Sequence, residues 1–234
     1  FNGRDNYELV GESSADFLGE GDKFLSIGRL YNYFTSAMDL RPNSDEGKVE
    51  ALAAFGIADE KLYQGLMSAT LIDKNLLTIN FNIELIMQFY DIPWLRSQRK
   101  IVGDKNFCAS IQKYLEDIMV EYLNAAYQKY PSKNLCLSGG VAANIIMSLA
   151  IYEKTNFKNI YVYPAMADDG LAIGSAILTA LSLNEDITWL KDIPLPYFGD
   201  SYNRTQVKRI LDKFEGITYE DLREKWPKEA AISV

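Results

Sequence analysis

Ser138, Gly139, Gly140 and Asn144 fall within seven residues and have the composition of a turn that can hold a phosphate. Residues 134–137 read as a short apolar strand, and the two glycines then let the backbone turn sharply and approach a ligand that a β-carbon would push away. Asn144 falls on the first turn of the helix that follows. A second apolar run, Asn159 to Tyr163, ends in Pro164 and leads through Asp168, Asp169 and Gly170 into another helix. Two strand-turn-helix units of this kind present their turns on one edge of a sheet. Amides at a helix N-terminus attract anions, and a carboxylate beside them is a hard ligand for a cation. Each turn also has a plainer reading. Gly-Gly can be a tight connection, and Asp-Asp-Gly can be a helix cap.

The elements that must position these turns are mostly helical. Ser26 to Met38 has apolar residues at 27, 30, 31, 34, 37 and 38, the spacing of a helix with one buried face. Its Tyr31, Tyr33 and Phe34 read as core and rim rather than as a stacking platform. A cap-rich segment after Pro42 opens a helix from Asn43 to Ala54, with Gly56 as its C-terminal cap. Lys48 and Glu50 lie in its first turns and read as a solvated face. Residues 76–81 alternate like a strand, and residues 83–90 suggest a short helix. Ala109 to Tyr130 is a long amphipathic helix feeding straight into the glycine-turn strand. Leu171 to Leu183 is nearly all apolar, and its small residues would let it pack closely on the sheet. A Pro-rich connector, a helix near Thr205 to Phe214 and a tail from Tyr219 complete the chain, which contains no internal repeat.

Composition narrows the chemistry. The chain has 234 residues, 48% of them hydrophobic, enough for a substantial core, with no run long enough to cross a bilayer and no secretory leader. It reads as a soluble, cytoplasmic protein. A net charge of −8, with acidic residues scattered along the chain, argues against DNA as a partner. The absence of histidine removes Ser-His-Asp and Cys-His catalysis and histidine-bearing zinc sites from what the chain can complete alone. Cys108 and Cys136 are too few for a disulfide framework, and Cys136, inside a strand expected to be buried, reads as a small apolar filler.

Five segments in order resemble one family across about 200 residues: Ser26 to Thr35, Asn43 to Val49, Leu135 to Asn144, Pro164 to Gly174 and Pro196 to Gly199. The chain is similar to the O-carbamoyltransferases of nodulation-factor and antibiotic biosynthesis. More widely it resembles the threonylcarbamoyl-adenosine tRNA-modification proteins and the actin, sugar-kinase and heat-shock ATPase superfamily. The resemblance implies an α/β, ribonuclease-H-like fold of that ATPase type, here incomplete. Residues 1–200 would be the nucleotide-binding part and 201–234 the connector to a missing carbamoyl-phosphate-handling domain.

The implied reaction forms carbamoyl-adenylate from ATP and carbamoyl phosphate, then transfers the carbamoyl group to a hydroxyl of a sugar or other small natural-product acceptor. By motif matching, Ser138, Gly139, Gly140 and Asn144 would contact ATP, Glu46 and Lys48 would approach its ribose, and Asp168 would ligate a divalent metal, iron or magnesium. Family members differ from this chain at Gly47, and they add metal-binding histidines that it lacks. The start at Phe1 and the ending Ala230 to Val234 suggest an excised half whose isolated activity would be weak or absent. A homodimer is compatible with the resemblance. A tRNA threonylcarbamoyl-transfer protein, a kinase-like ATPase of the same fold and a non-catalytic module are the competing readings.

Overall fold

The computed structural model describes residues 9–11, 25–188, 190, 199–216 and 218–219. Most of the opening segment, the Pro196 to Gly199 motif apart from Gly199, and nearly all of the expected tail lie outside these residues. The chain divides into two compact units, Phe1–Ile187 and Thr188–Val234. In the second, α9 (Arg204–Leu211) opens with a reciprocal capping box between Asn203 and Gln206.

The first unit is a helical core carrying a small parallel sheet. Helix α1 (Ile27–Ala37) begins where the Ser26 hydroxyl accepts the Arg29 N–H at 3.1 Å. It buries Leu30, Tyr31, Phe34 and Ala37, and Phe34 stacks on Phe107 with ring centroids 4.7 Å apart. Burying each large apolar side chain contributes about 1.5–3 kcal/mol. Helices α2 (Glu46–Ala53) and α3 (Glu60–Ala69) pack on the same core, and α3 is capped by Asp59. α3 runs without a break into β1 (Thr70–Asp73), which pairs antiparallel with β2 (Thr78–Phe81). A short helix α4 (Ile83–Ile86) continues as a 3-10 turn over Met87–Tyr90, and α5 (Ile92–Val102) follows.

Helix α6 (Asp104–Lys129) is the spine of the unit, starting five residues before the expected boundary and burying Phe107, Cys108, Ile111, Tyr114, Leu115 and Ile118. At 1.5 Å per residue its 26 residues span ~39 Å. It leads to β3 (Asn134–Leu137), a 3-10 turn (Gly140–Ala143), α7 (Ile145–Lys154), β4 (Asn159–Val162) and α8 (Gly170–Ser182). β3 and β4 are parallel neighbours, with Leu135 opposite Ile160, so α7 is the crossover that parallel pairing requires. The two expected strand-turn-helix units are therefore adjacent and aligned, and the α/β class holds. Among the described residues no helix is long and apolar enough to cross a membrane.

Three expectations are corrected. Gly56 is not a left-handed helix cap, because it has no positive φ. A β-carbon there would sit 2.1 Å from the Lys105 carbonyl oxygen, so glycine is needed for the close approach of α2 to the start of α6. α8 buries none of its residues, and nothing lies within 4 Å of a β-carbon built at Gly174, so its small residues pack on nothing among the described residues. Cys136 is exposed, because β3 pairs only with β4 and the Cys136 face of the strand is uncovered among those residues. Cys108 is buried, and burial pushes its thiol up to about 12. In native buffer at neutral pH, mass spectrometry should find one fast maleimide adduct, at Cys136, with Cys108 labelled only after denaturant is added. Rapid double labelling of the native chain would contradict the burial of Cys108.

Arg99 fastens α5 to its neighbours. Its guanidinium donates to the Ala37 carbonyl at 3.0 Å, to Asp39 at 2.8 Å and to Asp104 at 2.8 Å, while Arg96 reaches Asp39 at 2.7 Å. The Arg99 hydrogen bonds hold both carboxyls below the ordinary value of 3.8. A carboxyl depressed in the folded state contributes stability above its unfolded value, and that contribution is lost as pH falls through the folded one. The stability difference between wild type and Arg99→Gln should therefore be widest at neutral pH and close as pH falls below 3.8. A difference that stays constant through the acid limb would show that the ion pairs contribute nothing.

Candidate functional site

The two turns named from sequence meet at the C-terminal ends of β3 and β4. The Gly139 N–H donates to the Met166 carbonyl at 2.7 Å, joining the glycine turn to the segment that carries Asp168. Gly139 has φ +97°, a conformation that glycine supplies without strain. Gly140 has neither a positive φ nor a crowded environment, since no atom lies within 4 Å of a β-carbon built there. Among the described residues the amides of Gly140 and Val141 have no acceptor. Ser138, Gly139 and Gly140 are exposed. The turn thus offers two N–H groups without an acceptor, with open space on the Gly140 side, the arrangement of a nest in which an anion can be held.

The start of α7 is differently disposed. Asn144 is its N-cap, only 8% exposed, and its Oδ1 accepts the Met147 N–H at 2.8 Å. Glu50, on α2, accepts the Ile146 N–H at 2.9 Å. Two of the N–H groups that this helix N-terminus would offer to a phosphate are thus taken by an amide and a carboxylate of the same chain. The 3-10 turn before it keeps the Gly140 and Val141 amides without an acceptor among the described residues.

Asn144 also forms a reciprocal amide pair with Gln112, each side chain donating to the other at 3.1 and 2.8 Å. Gln112 is 3% exposed, accepts the Tyr31 hydroxyl at 3.0 Å and donates to Glu116 at 3.0 Å. Burial raises the Tyr31 hydroxyl far above the tyrosine range, and the nearby Glu50 carboxylate adds to the shift, so Tyr31 stays a proton donor. Sequence reading missed Gln112 and the role of Glu50. Gln112 follows the apolar Ile111 in the helix, and that polar break at a buried position was the available signal.

The other nominated residues lie elsewhere. Glu46 accepts the Asn43 N–H at 2.6 Å, and Lys48 pairs with Asp45 at 2.8 Å, both on α2 and its approach. Among the described residues neither makes a hydrogen bond or ion pair with the glycine turn. Asp168 and Asp169 are exposed, and Asp169 makes no side-chain capping bond to α8. Gly170 is required by packing, because a β-carbon there would lie 2.1 Å from the Ala165 carbonyl oxygen. Among the described residues no three carboxylates or thiols group to hold a metal, and the chain has no histidine. Asp168 and Asp169 alone therefore do not fit a protein-held metal centre. The grooves beside Asp117 and Glu121 and beside Arg96 and Arg99 are lined by no residue of either turn.

Residues 5–177 match the family model described as carbamoyltransferase N-terminus. The chain belongs to that family. It is 45% identical over 234 residues to an uncharacterized protein of Methanocaldococcus jannaschii, an alignment covering 97% of this chain and 38% of that protein. It is 27% identical over 146 residues to nodulation protein U of Bradyrhizobium diazoefficiens, covering 56% of this chain and 25% of the relative. It is 26% identical over 164 residues to a tRNA N6-adenosine threonylcarbamoyltransferase of Streptococcus thermophilus, covering 68% and 43%. The aligned parts of this member of the carbamoyltransferase family cover 38%, 25% and 43% of these relatives, and the region matched to the family contains both turns and the Gln112 network.

Proposed function

We propose that this chain is the nucleotide-binding portion of an ATP-dependent O-carbamoyltransferase with the actin and sugar-kinase type of fold. The observation that carries the reading is the pair of amides at Gly140 and Val141 without an acceptor, with open space beside Gly140, in a turn that Gly139 ties by one hydrogen bond to the segment carrying Asp168. In the reaction, water hydrolyses carbamoyl phosphate to phosphate and carbamate, and a carbamate oxygen attacks the α-phosphorus of ATP. The bond to the β-phosphate breaks and pyrophosphate leaves. The acceptor hydroxyl oxygen then attacks the carbamoyl carbon, AMP leaves, and the hydroxyl proton passes to solvent or base. The role of this chain is to hold the phosphates, because backbone donors preorganised in a turn stabilise charge developing there. The exposed Asp168 carboxylate is available to a cation that the nucleotide brings.

Calorimetric titration of ATP with Mg²⁺ into the chain, beside Gly140→Val and Asp168→Asn, tests this. Gly140→Val fills space that no protein atom uses, so it should keep the wild-type unfolding midpoint and lose nucleotide affinity by about tenfold or more, the loss of one charge-assisted hydrogen bond or more. A folded wild-type chain that binds no nucleotide, or a Gly140→Val chain that binds normally, would refute the assignment. In the longer M. jannaschii relative, pyrophosphate release should depend on carbamoyl phosphate.

A further inference from the structure

We propose that Gln112 is a positioning residue that sets the orientation of the Asn144 amide, an inference that rests on the nucleotide reading above. Two groups of fixed polarity dictate the arrangement from opposite ends. The Met147 backbone N–H can only donate, so it requires the oxygen of Asn144 on its side. The Glu116 carboxylate accepts, so it requires the nitrogen of Gln112 on its side. With both ends set, the two amides meet nitrogen to oxygen and oxygen to nitrogen, as the 3.1 and 2.8 Å bonds show. The Tyr31 hydroxyl takes the remaining lone pair of Gln112 at 3.0 Å.

All four hydrogen-bonding capacities of Gln112 are then used, two as acceptor and two as donor. The Asn144 amide nitrogen makes one donor bond among the described residues, to Gln112, and its second N–H has no protein acceptor there. It sits at the junction between the glycine turn and α7. α1 reaches the same turn, since a β-carbon at Gly28 would lie 3.2 Å from Val141 Cγ2. Helices α1 and α6 thereby hold, through Gln112, a buried side-chain donor at that junction. Gln112 itself touches no ligand.

Gln112→Glu is isosteric but cannot donate to Asn144 while ionised, so it removes the polarity that orients the amide. Glu116→Gln is milder and removes only the fixed acceptor. Nucleotide affinity, the unfolding midpoint and the side-chain amide resonances of Asn144, assigned from their loss in Asn144→Ala, are measured on each. Wild type should show one Asn144 amide proton shifting with ATP, and Gln112→Glu should lose that shift together with about tenfold in affinity. Glu116→Gln should lose less affinity and keep a near-native midpoint, which preserves the test if Gln112→Glu does not fold. Native affinity and an unchanged Asn144 response in Gln112→Glu, or in Glu116→Gln should that variant alone fold, overturns the positioning role while nucleotide binding stands. No binding by folded wild type overturns both, and the two failures are distinct.

Discussion

Asn144→Ala should lower stability by about 2–4 kcal/mol and abolish nucleotide binding. The stability loss has two sources. Removing a helix N-cap costs typically about 1 kcal/mol, and leaving a buried polar group unpaired costs about 1–3 kcal/mol more. Both apply, because the same side chain caps α7 and pairs with Gln112. The measurement is urea denaturation beside calorimetry: the midpoint should drop at constant slope, and heat of ATP binding should vanish even at temperatures where the variant is fully folded. Asn144→Asp separates the two functions. It retains a good capping oxygen but withdraws the donor from Gln112 and places a carboxylate beside the phosphate seat, so it should bind no nucleotide while losing less stability than alanine. Full stability in Asn144→Ala would mean that neither bond contributes.

Gly170→Ala should do the reverse, with a large effect on affinity and a smaller one on the fold. The new methyl would lie 2.1 Å from a backbone oxygen, that of Ala165, which cannot swing aside as the end of a side chain would. The segment holding Met166 must shift, and its carbonyl is the acceptor for Gly139. Loss of that bond decouples the two turns, and affinity for ATP with Mg²⁺ should fall by about tenfold or more. Overpacking of this kind costs about 1–3 kcal/mol, toward the low end here because α8 buries none of its residues. Gly174→Ala is the control. It meets nothing and replaces glycine inside a helix, so it should raise stability by about 0.5–1 kcal/mol and leave binding unchanged. Equal binding by Gly170→Ala and wild type would show that the second turn takes no part.

Much of this arrangement was legible in the residues themselves. The runs ending at Leu137 and Tyr163 are short, apolar and punctuated by glycine or proline, so strands, turns and following helices fell close to where expected, and the parallel pairing follows from the helix between them. β1 was hidden because no breaker separates Ala69 from Thr70, and strand propensity in four residues is weak beside the helical pattern before it. Local pattern also misjudged Glu50. It lies on a helix face that reads as solvated, and its partner, the Ile146 amide, is 96 residues away. Gln112 left only a polar break in its helix as a signal, because the partner that makes a buried amide tolerable arrives from Asn144, 32 residues on. Cys136 and α8 were misread because an apolar segment was assumed to find cover.

The reciprocal amide pair also has a consequence for how this sequence can drift over generations. Asn144 satisfies a helix end and a buried neighbour at once, so a change at position 144 is not neutral while Gln112 remains, nor the converse. Such positions are inherited as one character: their substitution energies do not add, and the acceptable replacements at each are set by the residue at the other.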